Sequence, residues 1–192
     1  MEMEKYIEKG LMAFVPVYLD MKGNSTILYT FSSGKIEVYK SIRTFLNGLG
    51  KYFLLDLKQS NKYYGELLGS NNGVPIPFNK DNIFIPVKVR RPISKNDGSL
   101  GYINIKYIEK VVEEDGQGIV YLKSNIKIKS LNTTKTIEKH IREGHIVGKF
   151  YEEKHGTIYE IDDFYSQSDK PATKGDIALL RQEILSIRET LH

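Results

Sequence analysis

The chain has no cysteine, which excludes a disulfide framework, a zinc ribbon and thiol catalysis and suits a reducing cytoplasm. It also lacks long hydrophobic runs. The most apolar early stretch, LMAFVPVYL, is far too short to cross a bilayer as a helix. The first residues, MEMEKYIEKG, place acids where a signal peptide carries bases. A soluble cytoplasmic protein with no membrane partner is the expectation. Signatures of catalysis are equally scarce. There is no GxxxxGK[ST] phosphate loop and no GxSxG elbow. Gly116-Gln117-Gly118 lies in a turn between two strand-like runs, so it is no dinucleotide fingerprint. His140 and His145 stand five apart, not at the i, i+4 spacing that brings two imidazoles to one helix face, and His155 and His192 have no companion. The acid pairs Glu113-Glu114, Glu152-Glu153 and Asp162-Asp163 are local and read as solvated surface. No catalytic residue, cofactor or metal is expected.

What the chain does have is 192 residues, enough for one domain with a small appendage, and charge that is unevenly placed. The overall net charge is +4. Between residues 80 and 95, five cations (Lys80, Lys88, Arg90, Arg91, Lys95) face Asp81 alone. Between 123 and 142, six cations (Lys123, Lys127, Lys129, Lys135, Lys139, Arg142) face Glu138 alone. From 152 to 170 the sign reverses, with six acids against Lys154 and Lys170. Such a field suits an anionic partner for the body and a separate C-terminal segment, although abundant lysine on solvated faces would look similar.

Hydrophobic periodicity predicts an α+β fold: a mainly antiparallel β body with two short helices and a C-terminal amphipathic helix. Residues 13–19, 26–31 and 35–39 read as strands, the last two joined by Ser32-Ser33-Gly34. Ser41 is a candidate N-cap for a helix with Ile42, Phe45, Leu46 and Leu49 on one side, ended by Gly48 and Gly50. Residues 52–74 read as loop with one helical turn at most, and their Tyr52, Tyr63 and Tyr64 alternate with Lys51, Lys58 and Lys62. Residues 101–112 read as one strand, followed by a meander through IVYL and IKIK. Asn132 or Thr133 caps a second helix with Leu131, Ile137 and Ile141 on one side, stopped by Gly144, after which HIVGKFY returns to the sheet. The organisation is thus a β-rich body over 1–151, an acidic linker over 152–172 and a helix over 173–192. In that helix Ile177, Leu180, Ile184, Ile187 and Leu191 recur at spacings of three and four, an a/d seam about two heptads long. A helix this short is marginal alone, so it either packs on the body or pairs with another copy.

The stretch PIPFNKDNIFIPVKVRRP holds four of the six prolines. Proline cannot donate to a sheet ladder, so Pro77, Pro86 and Pro92 predict an edge strand and turns, with Arg90 and Arg91 at the surface. Arginines on such an arm can enter the narrow, strongly negative minor groove of A·T-rich DNA; a solvated turn is the plain alternative.

The order of these features resembles the bacterial competence transcription factor (ComK) family. Pro75-Ile76 matches that family's proline–isoleucine pair, Ile83-Phe84-Ile85-Pro86 its IFxFPT-like strand, Arg91-Pro92 its Ser/Arg-Pro turn, and Gly101-Tyr102-Ile103 its Gly-Trp-Ile strand start. The similarity runs from about residue 53 to 150, with SNIKIKSLNTTKTIEKHI similar to the family's strand–turn–strand–helix ending. Tyr102 stands where the family has tryptophan, and no arginine follows the glycine of LKQSNKYYGE. The resemblance implies a DNA-binding transcriptional activator that recognises paired A/T-rich boxes in double-stranded DNA, largely through the minor groove, and works as a homo-oligomer. A regulatory protein partner is a further possibility, although the family's C-terminal adaptor role does not carry over to this differently written segment. On this reading Lys88, Arg90, Arg91 and Lys95 contact groove and phosphate, while Lys127, Lys129, Lys135 and Lys139 are additional phosphate contacts. The alternative is a non-catalytic interaction module that oligomerises through residues 177–191.

Overall fold

The computed structural model describes residues 3–70, 72–92 and 97–155. The chain divides into two units, 1–152 and 153–192, and both sheets lie in the first. Among the described residues nine strands form two antiparallel sheets with four α-helices against them, the α+β class expected.

The LMAFVPVYL run is β1 (Leu11–Leu19), a central strand. Leu11 to Val15 are all buried, and the unbroken apolar sequence reflects a sheet covered on both faces. β1 pairs with β2 (Gly23–Thr30), which pairs with β3 (Gly34–Val38), as the hairpin signals predict. The sheet continues through β6 (Leu100–Asn104), β5 (Asn82–Lys88) and β4 (Ile76–Asn79), in the order β3-β2-β1-β6-β5-β4. A smaller sheet, β7 (Ile108–Glu114), β8 (Gln117–Leu122) and β9 (Ile126–Ser130), is the predicted meander.

The two faces of the large sheet are covered differently. A short α1 (Glu4–Glu8) and α2 (Ile42–Tyr52) cover one with an aromatic core, in which the Phe14 ring lies 5.2 Å from Phe45, 5.2 Å from Phe84 and 5.0 Å from Tyr102. On the other face Met12, Ile85, Val87 and Ile103 meet Val120, Leu122 and Ile128 of the small sheet and Ile137 of α4 (Thr134–His155). A third cluster joins Tyr64 of α3 (Leu57–Leu68) to Val147 of α4 and to Val74.

Four local expectations are corrected by these contacts. Gly48 and Gly50 lie inside α2, although Ser41 does cap it, its Oγ accepting from the Thr44 N–H at 3.2 Å. A Cβ on Gly50 would crowd the Leu55 carbonyl oxygen at 3.1 Å, so that glycine permits a close turn after the helix. Residues 57–68 are a full helix in place of the expected loop. Asp56 caps it through bonds from the Lys58 and Gln59 N–H groups, Gly69 ends it at φ +61°, and burial of Tyr64 outweighs the weak helix propensity of its Asn, Ser and Gly. Gly144 does not stop α4, and HIVGKFY is helical. Gly144 and Gly148, one turn apart, face Ile85, Ile105 and Ile83 at distances that leave no room for a Cβ, so the glycines let the helix lie close on the sheet. Residues 101–112 are two strands: buried Asn104 accepts from the Lys106 N–H, and the chain turns through Ile105–Tyr107 into the second sheet.

The predicted edge strand is also corrected. β5 is bonded to β6 along its length and to β4 along its first residues, so it is interior, while Pro77 lies on the true edge strand β4. Pro86 is accommodated because β4 reaches only Phe84. Its missing N–H costs no ladder bond, and its carbonyl accepts from His140 Nδ1 at 2.7 Å.

Candidate nucleic-acid interface

The two basic segments, separate in sequence, are joined in the fold where β5 ends. The Lys88 carbonyl accepts from the Leu131 N–H at 2.6 Å and from Ser130 Oγ at 3.1 Å, and the Lys88 N–H donates to Asn132 Oδ1 at 2.6 Å. These bonds replace the ladder that β4 no longer supplies and fasten the end of β5 to the junction between β9 and α4. Thr133 Oγ1 then accepts from the Thr136 N–H at 3.3 Å and starts the helix, as predicted. Gly118 of β8 packs against Ile137 and the Asn132 carbonyl, again with no space for a Cβ.

Around this junction the side chains of Lys88, Arg91, Lys129 and Lys135 are exposed and make no hydrogen bond or ion pair with other described residues. Ile128 and Ser130 point into the core, so the alternate residues Lys127 and Lys129 face solvent. Lys127 lies 4.8 Å from the centre of the Tyr121 ring, with Lys110 at 4.9 Å, and its contact with the Tyr121 side chain holds its ammonium above the usual lysine range. Tyr121 donates to Glu114 at 2.7 Å. Lys139 pairs with Glu143 at 3.5 Å, one helical turn away.

Arg90 and Arg91 have different surroundings. Arg90 is half-buried: its Nε donates to the Gly98 carbonyl and its Nη2 to Asn24 Oδ1, both at 2.8 Å. Asn24 Nδ2 in turn donates to Asp97 Oδ1 at 2.7 Å. Asn24 belongs to β2, two strands beyond β6, so Arg90, Asp97 and Gly98 are tied across the end of the sheet. The β1–β6 ladder itself stops at Phe14–Tyr102. Gly98 then rests against Ile42 at the start of α2. Arg91 and Pro92 stand exposed beyond this brace.

Lys95 and the predicted oligomerisation residues Ile177, Leu180, Ile184, Ile187 and Leu191 lie outside the described residues, as do the linker from 156 and the helix over 173–192. Tyr64 is buried, which pushes its hydroxyl pKa up to about 12, and the Tyr63 ring stands edge-on to it at 5.0 Å. Tyr64 therefore belongs to the α3–α4 packing and offers no stacking surface. Asn24, Asn132 and Ser130 are the contributors that sequence reasoning misses. They carry no charge, and only the tertiary contacts show that they hold the charged residues in place; the capping signal at Asn132-Thr133 is their one trace in sequence. Among the described residues no group of three or more His, Asp or Glu side chains is placed to hold a metal ion. Compared with known proteins, the chain matches no family model and has no significantly similar curated relative.

Proposed function

We propose that the protein is a DNA-binding regulator that recognises A/T-rich double-stranded DNA, largely through the minor groove, in the manner implied by its resemblance to the competence transcription factor family. The supporting observation is the stitching of Lys88 to the β9–α4 junction, which turns two basic segments into one cationic surface. Lys88, Lys129 and Lys135 supply phosphate contacts that position the protein without specifying sequence. Arg91 is the side chain free to enter a groove, and Arg90 holds the loop that presents it. The factor works in the cytoplasm as a homo-oligomer, with residues 177–191 as the pairing segment.

Fluorescence anisotropy with A/T-rich and G/C-rich duplexes at two salt concentrations tests the reading. Tighter binding of the A/T-rich duplex is expected, with affinity falling steeply as salt rises. Equal binding of both duplexes, or none at low salt, would refute it. Truncation after Lys170 is expected to lower the oligomeric state and leave the isolated body able to bind DNA.

A further inference from the structure

The turn between β1 and β2 sits beside the Arg90 loop and carries a residue that a reading by charge passes over. Met21, at its tip, has a left-handed backbone (φ +64°) and a side chain that is fully exposed, at 104%. For stability this is a poor choice: asparagine or glycine would adopt that backbone more easily, and no neighbour covers the thioether. Tyr18 and Tyr39 near the turn are also more than half exposed, and Lys22 Nζ lies 3.6 Å from the centre of the Tyr39 ring. The turn does not stand apart from the basic surface. Arg90 bonds to Asn24, and Asn24 to Asp97, so turn and loop form one bonded unit across the end of the large sheet.

We propose that Met21 is an apolar wedge that inserts between adjacent base pairs of the bound duplex, while Arg91 lies in the adjacent groove and Lys22 engages the flanking backbone. The proposal rests on the DNA-binding reading above and adds to it how the duplex is deformed and where. An unbranched, polarisable side chain can follow an irregular gap between bases, and apolar wedges of this kind unstack a base step and kink the helix. Unstacking is easiest at pyrimidine–purine steps, so Met21 directs the protein to a TA step within an A/T-rich site. Lys22 beside the wedge pairs with a phosphate flanking the opened step.

The test uses the full chain and an A/T-rich duplex carrying 2-aminopurine at a central TA step, with binding followed by anisotropy and unstacking by 2-aminopurine fluorescence. A fluorescence rise is expected with the natural protein. Met21→Ala is expected to abolish that rise and weaken binding roughly tenfold, through loss of the wedge's contacts with the opened step. Met21→Leu should restore both signals. Met21→Gly should abolish the rise with a thermal midpoint at or above that of the natural protein, which separates loss of the wedge from loss of fold. Binding with no rise at any TA step placed across the site, or a rise that survives Met21→Ala, overturns the wedge and leaves DNA binding standing. No binding of the duplex by anisotropy overturns both.

Discussion

The two basic segments look alike in sequence, each a short run of cations with a single acid, yet the fold treats them differently. In the first, Arg90 is built into the structure, bonded to Gly98 and Asn24, and only Lys88 and Arg91 of its described cations near the junction are left to solvent. In the second, Ile128, Ser130 and Ile137 face inward, so the lysines between them are displayed by strand and helix periodicity and need no brace. A loop must spend side-chain hydrogen bonds to hold a charge in position, whereas a regular element holds it through its backbone. Counting charges along the chain therefore overstates both segments: the first because Arg90 is built into the structure, the second because Lys139 is paired with Glu143 just beyond it and Lys127 lies against Tyr121.

The largest effect that tests this partnership is on salt dependence. If Lys88, Arg91, Lys129 and Lys135 each displace one counterion from the duplex, they contribute about −3.6 to the slope of log affinity against log salt, or roughly a hundredfold loss between 50 and 200 mM. Replacing all four by alanine should remove about that much of the slope, and each pair, Lys88 with Arg91 or Lys129 with Lys135, should account for about half of the loss. A slope that responds to one pair alone would show that the segments do not act as one surface.

A smaller effect separates the neighbouring arginines. Arg90→Ala removes two charge-assisted hydrogen bonds and should lower the unfolding free energy in urea by roughly 1–2 kcal/mol. Arg91→Ala should stay within about 0.5 kcal/mol of the natural protein and reduce the salt slope by about one. The reverse pattern would place the brace on the wrong residue.

The smallest effect comes from the other end of β5, where Asp81 and Lys106 pair at 2.8 Å on the surface. The bond from Lys106 holds the Asp81 carboxyl below its usual 3.8, and the same bond holds the ammonium above its usual 10.5. Asp81 contributes stability above its unfolded pKa that is lost as pH falls through the lower folded value. Lys106 contributes stability below its unfolded pKa that is lost as pH rises through the higher folded value. Both groups are about half exposed, so Lys106→Ala should cost less than about 1 kcal/mol at neutral pH. Urea denaturation across pH should show that difference vanish at both extremes, and DNA affinity should barely change.

Much of the body is legible in sequence because its signals are local. Alternation and turn residues announce β2, β3, β8 and β9, and Ser41 and Thr133 announce two helix starts. The failures at Gly50, Gly144 and Pro86 share one cause: glycine and proline have intrinsic preferences that packing reverses. Gly144 looks like a stop for α4, yet it and Gly148 are contact points for the sheet, since a residue without a Cβ both weakens an isolated helix and allows close approach. Pro86 looks like a mark of an edge strand, and it sits in an interior one at the place where β4 has already ended. α3 is hidden because Ser60, Asn61 and Gly65 interrupt its helix-forming residues and its cap at Asp56 is a weak signal.

By itself the sequence determined the class of fold, the positions of most strands and the presence of two cationic segments, since these follow from periodicity and composition within a few neighbouring residues. Tertiary structure alone decided that Lys88 meets Ser130 and Asn132, that Arg90 turns inward while Arg91 does not, and that the Met21 turn joins the same end of the sheet. Each of these depends on a contact spanning more than forty residues, and such contacts are set by the packing of whole elements, which no local pattern of residue types records.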